Sequence, residues 1–396
     1  MTFDAYYLDW VNLVLRWSHV ITGIAWVGSS FYFIWLDARL NVPPRDPENA
    51  EVAGDLWAVH GGGFYHSQKY KVAPAELPEP LHWFKWEAYF TWMTGFALFI
   101  VVYYLNAGTL LADAGTGRLA ASTAVLVSAA LVVAGWLIYD VLNRLKLPDV
   151  AFAAIGTVLL LALCWGVAQL FTGRGAYMQV GVMLGTIMAA NVFFVIIPAQ
   201  KQLVAAKLAG KTPDAQLGLR AKQRSVHNNY LTLPVVFAMV SPHFPFTYAH
   251  PYNWLLLFVI FVGGALVRHY FNLRNRGRHA PLLPAAATVL LIALVVVLRP
   301  QPIEQAPPAA VEFAHVRRIL EERCVACHAA KTTHPTAPVA AAGVMLDSPR
   351  LVQAWAPRIH ERAVVTRTMP LANLTHMTEE ERSTLARWYA AGAPAD

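Results

Sequence analysis

About 20 consecutive apolar residues are enough to cross a bilayer as a helix, the form in which a single segment satisfies its own backbone in lipid. This chain repeats such a run along most of its length. Eight candidate spans are legible, at 11–36, 84–105, 119–141, 150–171, 178–198, 229–246, 253–271 and 282–299. Apolar residues make up 57% of the chain and charged ones 14%, against about 45–50% and 25% in a soluble domain. The first run, Val11 to Leu36, is too long for a cleaved signal and has no basic segment before it, so it reads as a span. The sixth run is short, carries Pro234 and meets Pro242, and hydropathy alone leaves it undecided.

Charge placement decides for it. With eight spans, 15 Lys and Arg fall in the loops after spans 1, 3, 5 and 7, and 2 in the loops after spans 2, 4 and 6. Basic loops stay cytoplasmic, which puts both termini outside. The net charge of +7 is thereby explained by loops facing anionic lipid headgroups, with no nucleic-acid partner required.

Beyond the last span the composition changes. A Pro/Ala strip at 301–310 separates a membrane domain, 1–300, from a soluble tail, 311–396, containing "RCVACH" at 323–328. C-x-x-C-H is the pattern for covalent c-type haem: two thiols add to the vinyl groups and the adjacent His ligates iron. Chance would produce it in a chain of this composition with a frequency on the order of 10⁻³. A redox dithiol and half a zinc site are the bland readings, and the remaining cysteine, Cys164, lies in an apolar run where it serves as a small hydrophobe. Cys324 and Cys327 are the expected attachment points and His328 the first axial ligand. Met369 is the expected second, ahead of Met345, because it precedes Pro370 in a loop before an N-cap, Thr378, and an acidic first turn. His334, His360 and His376 read as solvated surface residues. Helix, attachment motif, Met loop and closing helix are the layout of a class I-like monohaem cytochrome c. The fold class is therefore all-α, a polytopic bundle of eight transmembrane helices with a C-terminal cytochrome domain. Haem c is attached outside the bacterial cytoplasmic membrane, and the tail lies there only if the sixth span is real.

Ionisable groups in spans are costly and point to sites. Lys85, Glu87, His82 and Arg268 sit near span ends, where snorkelling or a local ion pair explains them as well as function does. His227, Asn228 and Asn229 form a polar cluster at the start of the sixth span. His19 is the deepest, either a helix–helix hydrogen-bonder or a ligand to haem b or substrate. The run "HGGGFYHSQKY" lacks a P-loop ending and reads as a flexible loop able to approach a ligand.

"RWSHVITGIAWVGSSFYFIWLD" at 16–37, "HNNYLTLPVVFAMVSPHFP" at 227–245, and "CVACHA" followed by "TRTMPLANLTHMTEEER" together resemble the bacterial membrane-bound, cytochrome c-linked urate oxidases, or urate hydroxylases. The resemblance covers essentially the whole chain. It implies oxidation of urate to 5-hydroxyisourate, with electrons leaving through the fused haem c to the respiratory chain, by way of a soluble cytochrome c or a terminal oxidase, without peroxide. It carries over Cys324, Cys327, His328 and Met369, and no urate-pocket residue. The reaction needs a base, donors for purine carbonyls and an anion clamp. His227 as base, Asn228 or Asn229 as carbonyl partner and Arg268 as clamp form the candidate constellation. A hydrocarbon core of about 30 Å would separate these from an external haem, which leaves His19 as a candidate ligand of a bridging haem b. The rival readings are a membrane-anchored c-type cytochrome subunit of a larger respiratory complex, and a transporter or sensor with a fused cytochrome.

Overall fold

Helices hold 72% of the residues and strands 5%, as a chain of apolar runs requires. The computed structural model describes residues 5–42, 51–112, 119–297, 311–334, 337 and 340–395. The linker at 301–310, together with Arg45 and Arg118, lies outside the described residues.

The membrane part comprises α1 (Ala5–Arg39), a hairpin of β1 (Val52–His60) and β2 (Gly63–Tyr70), α2 (Trp86–Phe99), α3 (Ala121–Arg144), α4 (Asp149–Leu170), α5 (Gly173–Ala190), α6 (Ile197–Leu208), α7 (Ala215–Val240), the short α8 (Pro245–Tyr248), α9 (Asn253–Asn275) and α10 (Leu282–Val297). Among the described residues, five helical runs are long and apolar enough to cross a membrane: Tyr6–Arg39, Ala121–Arg144, Asp149–Leu170, Gly173–Leu208 and Asn253–Asn275. Leu282–Val297 is a shorter apolar helix with no fully buried residue, packed along α9 with Leu294 against the main core. The second run divides, α2 passing into a π-helical turn at Ile100–Tyr104 and a second at Ala107–Leu111.

α5 is the axis of the bundle. It packs on α3, α4 and α7, and Ala176, Tyr177, Val180 and Leu184 lie in the main core with Leu111, Cys164, Val235 and Phe261. Small residues permit the approach: a Cβ on Gly181 would stand 2.7 Å from that of Ala238. At one end α5 is seated against loop backbone. Thr172 caps it and donates to the Leu110 carbonyl at 2.8 Å, and a Cβ on Gly173 would fall 2.0 Å from the Tyr248 carbonyl oxygen. The Tyr177 hydroxyl reaches the carbonyls of Thr247 and Asn253 at 2.9 and 2.8 Å, tying in the start of α9.

Two expectations need correction. The glycine run is the turn of an antiparallel hairpin and not a flexible loop: His60 pairs with Gly63, leaving Gly61 and Gly62 as a two-residue loop with φ of +57° and +81°. Positive φ at both positions is what a type I′ turn demands and what glycine permits. Lys69 and Lys222 both pair with Asp37, fastening the hairpin base and α7 to the end of α1. The sixth run is not a short helix from 229 but the latter half of α7, which continues through Pro234, so the three polar residues lie inside a helix and not at its mouth.

The tail packs α11 (Phe313–Arg323), α12 (Pro349–Ile359) and α13 (Glu379–Ala390) around Val316, Leu320, Val352, Leu385 and Trp388. Arg323 clamps α11 to the start of α13, meeting Glu381 at 2.9 Å and the Thr375 carbonyl at 2.6 Å. Glu381 also closes a capping box with Thr378. The tail touches the bundle where Leu371–Asn373 meets Ala107–Leu111, and Arg362 lies within electrostatic range of Tyr248.

Gly173→Ala is expected to destabilise the solubilised protein by about 1–3 kcal/mol, while Gly156→Ala, whose added Cβ meets nothing within 4 Å, stays within about 0.5 kcal/mol. Equal thermal midpoints would refute the tight seat of α5. Burial raises the Glu381 pKa, but the bonds from Arg323 and the Thr378 amide outweigh it and hold the carboxyl below its usual value of 4.5. Its stabilisation is thus full above that value and disappears as pH falls through the depressed one. Glu381→Gln should weaken the tail by about 1 kcal/mol at pH 7, read by urea titration of hydrogen exchange in α11 and α13, with the difference closing under acid.

Candidate functional site

At 100° per residue, His227, Asn228 and Asn229 cannot all face one neighbour of α7. The structure divides them between two networks.

The first lies between α7, α3 and the π-helical turn Asn191–Ile196 that follows α5. Buried Arg224 pairs with Asp140 at 2.6 Å and stacks 4.9 Å over the Tyr139 ring. Its Nη1 donates to Asn191 Oδ1 at 3.2 Å. Because guanidinium only donates, this fixes the Asn191 amide, whose Nδ2 gives its two hydrogens to the Tyr139 hydroxyl at 3.1 Å and Asn228 Oδ1 at 2.8 Å. Asn228 is fixed at its other end by donating to the Met188 carbonyl at 3.0 Å. The Tyr139 hydroxyl is also hydrogen-bonded to His227 Nδ1, 2.8 Å away. Phe152 stacks on that ring at 4.7 Å. Asp140 also pairs with exposed Arg144 at 2.7 Å, so one carboxylate meets two guanidinium groups.

The second lies between α7, α9 and α1. Arg268 Nε donates to Asn229 Oδ1 at 2.7 Å and Nη2 to Asn272 Oδ1 at 3.0 Å. Asn272 donates to the same Asn229 oxygen at 3.1 Å, and Asn229 Nδ2 reaches Ser30 Oγ at 3.4 Å. The guanidinium stands 3.9 Å over the Phe31 ring. Among the described residues no carboxylate lies within ion-pair distance of Arg268, although Arg268, Asn229 and Asn272 are all buried. The Tyr230 hydroxyl, 2.6 Å from His269 Nδ1, is within electrostatic range of the same cation.

Of the expected constellation, Asn229 and Arg268 are in contact, whereas His227 and Asn228 belong to the network on the other side of α7. Sequence reading missed Tyr139, Asp140, Asn191, Arg224, Asn272 and Ser30. Asp140 and Asn191 were legible as isolated polar residues in apolar runs, but nothing local pairs them. His19 sits between α1 and α2, its Nδ1 3.0 Å from the Thr91 carbonyl and 3.3 Å from the Thr94 hydroxyl. A Cβ on Gly95 would lie 2.6 Å from its Cε1, so α2 covers one face of the ring. Donation from Nδ1 leaves the Nε2 lone pair free.

In the tail, Cys324 and Cys327 are free thiols at the end of α11. Burial pushes the Cys324 thiol up to about 12 and raises Cys327 as well, the reverse of the lowered value a reactive redox dithiol uses. Among the described residues no group of three His, Cys, Asp or Glu could hold a metal ion, which counts against zinc. His328 Nδ1 is buried without a hydrogen-bond partner, an orphaned polar atom of the kind that a missing group leaves. Buried Arg382 donates to the carbonyls of Ala363 and Met369, the latter at 2.9 Å, holding the Met369 loop. Met345 is exposed and Met377 is part of the tail core.

Comparison with curated proteins and with solved structures finds no match. The family model Urate oxidase N-terminal matches residues 5–299, the span that carries both polar networks, and the chain belongs to that family.

Proposed function

We propose that the chain oxidises urate to 5-hydroxyisourate in its membrane domain and passes the electrons to a haem c on its tail, without forming peroxide. The observation that carries this reading is Arg268, a buried cation faced by neutral amides and lacking a carboxylate among the described residues. Burying a cation costs several kcal/mol unless a counter-charge meets it, and urate near neutral pH is an anion. Asn229, Asn272 and Ser30 supply amide and hydroxyl groups for purine carbonyls and ring nitrogens, and Phe31 offers an aromatic wall. The family assignment supports the substrate.

Cys324 and Cys327 would hold the haem by thioether bonds, with His328 and Met369 as axial ligands. The group supplies one-electron acceptance, so a full turnover passes two electrons on to an external cytochrome or oxidase. The bundle is read as eight spans in the bacterial inner membrane with the tail in the periplasm, a placement supported by the contact between the tail and the loops after the second and sixth runs. For haem b the fit is partial, one imidazole with a free Nε2 and one face covered, and no step is assigned to it.

Anaerobic addition of urate to the purified full-length chain should reduce a c-type haem, identified by its pyridine haemochrome, and aerobic turnover should yield no peroxide. Absence of reduction with urate alone, but reduction once a partner dehydrogenase is added, would favour the electron-transfer subunit instead. Arg268→Gln should raise KM for urate about 10- to 100-fold while leaving the haem spectrum intact.

A further inference from the structure

We propose that Tyr230 and His269, acting as a pair, take up the proton released when substrate is oxidised beside Arg268. The inference rests on the urate-oxidation reading of that site. Tyr230 bonds His269 and Asn229 bonds Arg268, both between α7 and α9, so the pair and the anion clamp share one helix interface. The phenol oxygen stands 2.6 Å from His269 Nδ1, with the rings 5.8 Å apart and tilted by 33°. The same hydroxyl is within electrostatic range of the Arg268 guanidinium. Both residues are half-buried.

His227, the base expected from the sequence, is placed otherwise. Its Nδ1 is already hydrogen-bonded to the Tyr139 hydroxyl, a ring stacks upon it, and α7, a cylinder of about 10–12 Å with its side chains, separates it from the Arg268 network. A group on that side cannot take a proton from a purine held by Arg268 and Asn229.

The chemistry balances as follows. The urate monoanion gains water at C5: the C5–O bond forms, one water O–H breaks, two electrons leave for the haem and the external acceptor, and one proton is released. If Nδ1–H donates to the phenol, Nε2 has the free lone pair and takes that proton. If the phenol donates to Nδ1, the phenol oxygen takes the proton from water as its own hydrogen moves to Nδ1. Both routes end at the same pair, an imidazolium beside a neutral phenol, so the assignment does not depend on the tautomer.

The test is steady-state urate oxidation by the purified, haem-loaded full-length chain, with oxidised cytochrome c as acceptor. Tyr230→Phe and His269→Ala should each lower kcat by about 10²- to 10⁴-fold with KM changed less than about threefold, and added imidazole should restore part of the His269→Ala loss. Should the wild-type chain turn over urate while either variant, with unaltered haem spectrum, keeps kcat within about threefold or loses activity through KM alone, the pair is only a pin between α7 and α9 and the inference is overturned. Tyr230→Phe removes one oxygen and keeps the ring, so it decides the matter if His269→Ala does not fold. Failure of the wild-type chain to oxidise urate would instead overturn the functional reading itself.

Discussion

A cation inside an apolar bundle needs a partner within the protein, since water is not there to supply one. α7 is where this chain meets that constraint twice, and it does so differently each time. Arg224 has Asp140, and every amide between them and the Met188 carbonyl is oriented by the chain of donors and acceptors. Arg268 has two asparagine oxygens and an aromatic face. Hydrogen bonds to a charged group contribute about 1.5–3 kcal/mol each, which offsets part of the cost of desolvation but leaves the charge standing. The contrast is between a buried cation met by a carboxylate and one met, among the described residues, by neutral groups alone.

The bundle's helices were readable because lipid imposes a length and a composition that local sequence displays. In the tail, the helices read on either side of the C-x-x-C-H motif form as α11 and α13. What could not be read is what depends on distance along the chain. Asn229 meets Ser30 and Arg268 meets Asn229 across 199 and 39 residues, and no periodicity encodes such pairings. The start of α7 was missed because residues 215–228 are too polar for a span, although Asp214 caps them as an ordinary helix. The hairpin was missed because three consecutive glycines were read as slack, whereas two of them form a turn that only glycine fits comfortably. The expected base was displaced for a simpler reason: adjacency in sequence places helical neighbours on different faces.

The two ends of the molecule differ in kind. Arg268 lies 15 residues beyond Asn253 on α9, roughly 22 Å at 1.5 Å per residue. The Asn253 end is the one that Tyr177 ties to Thr247, and near it the tail meets Ala107–Leu111. The proposed substrate site at Arg268 and the proposed electron acceptor on the tail would therefore stand at opposite ends of the same helix pair. The π-helical turns of α2 face this separation from the acceptor side, where Phe99 stacks on Tyr103 at 5.1 Å and Arg174 donates to the Tyr103 hydroxyl.

That separation gives the proposed reaction a direction. On the proposed topology the Arg268 end faces the cytoplasm and the tail the periplasm. The proton released at Tyr230 and His269 then stays on the inner side while each electron moves outward. An inside-negative potential favours that electron movement by about 2.3 kcal/mol per charge for each 100 mV crossed, in proportion to the fraction of the field traversed. A fused cytochrome outside the membrane is thus more than a convenient acceptor. The membrane potential would help to draw electrons away from a buried purine, which a haem on the cytoplasmic face could not offer. The same geometry explains why the anion clamp lies at one end of α9 and the tail contact at the other: bringing the two together would shorten the electron path but give up the contribution of the field.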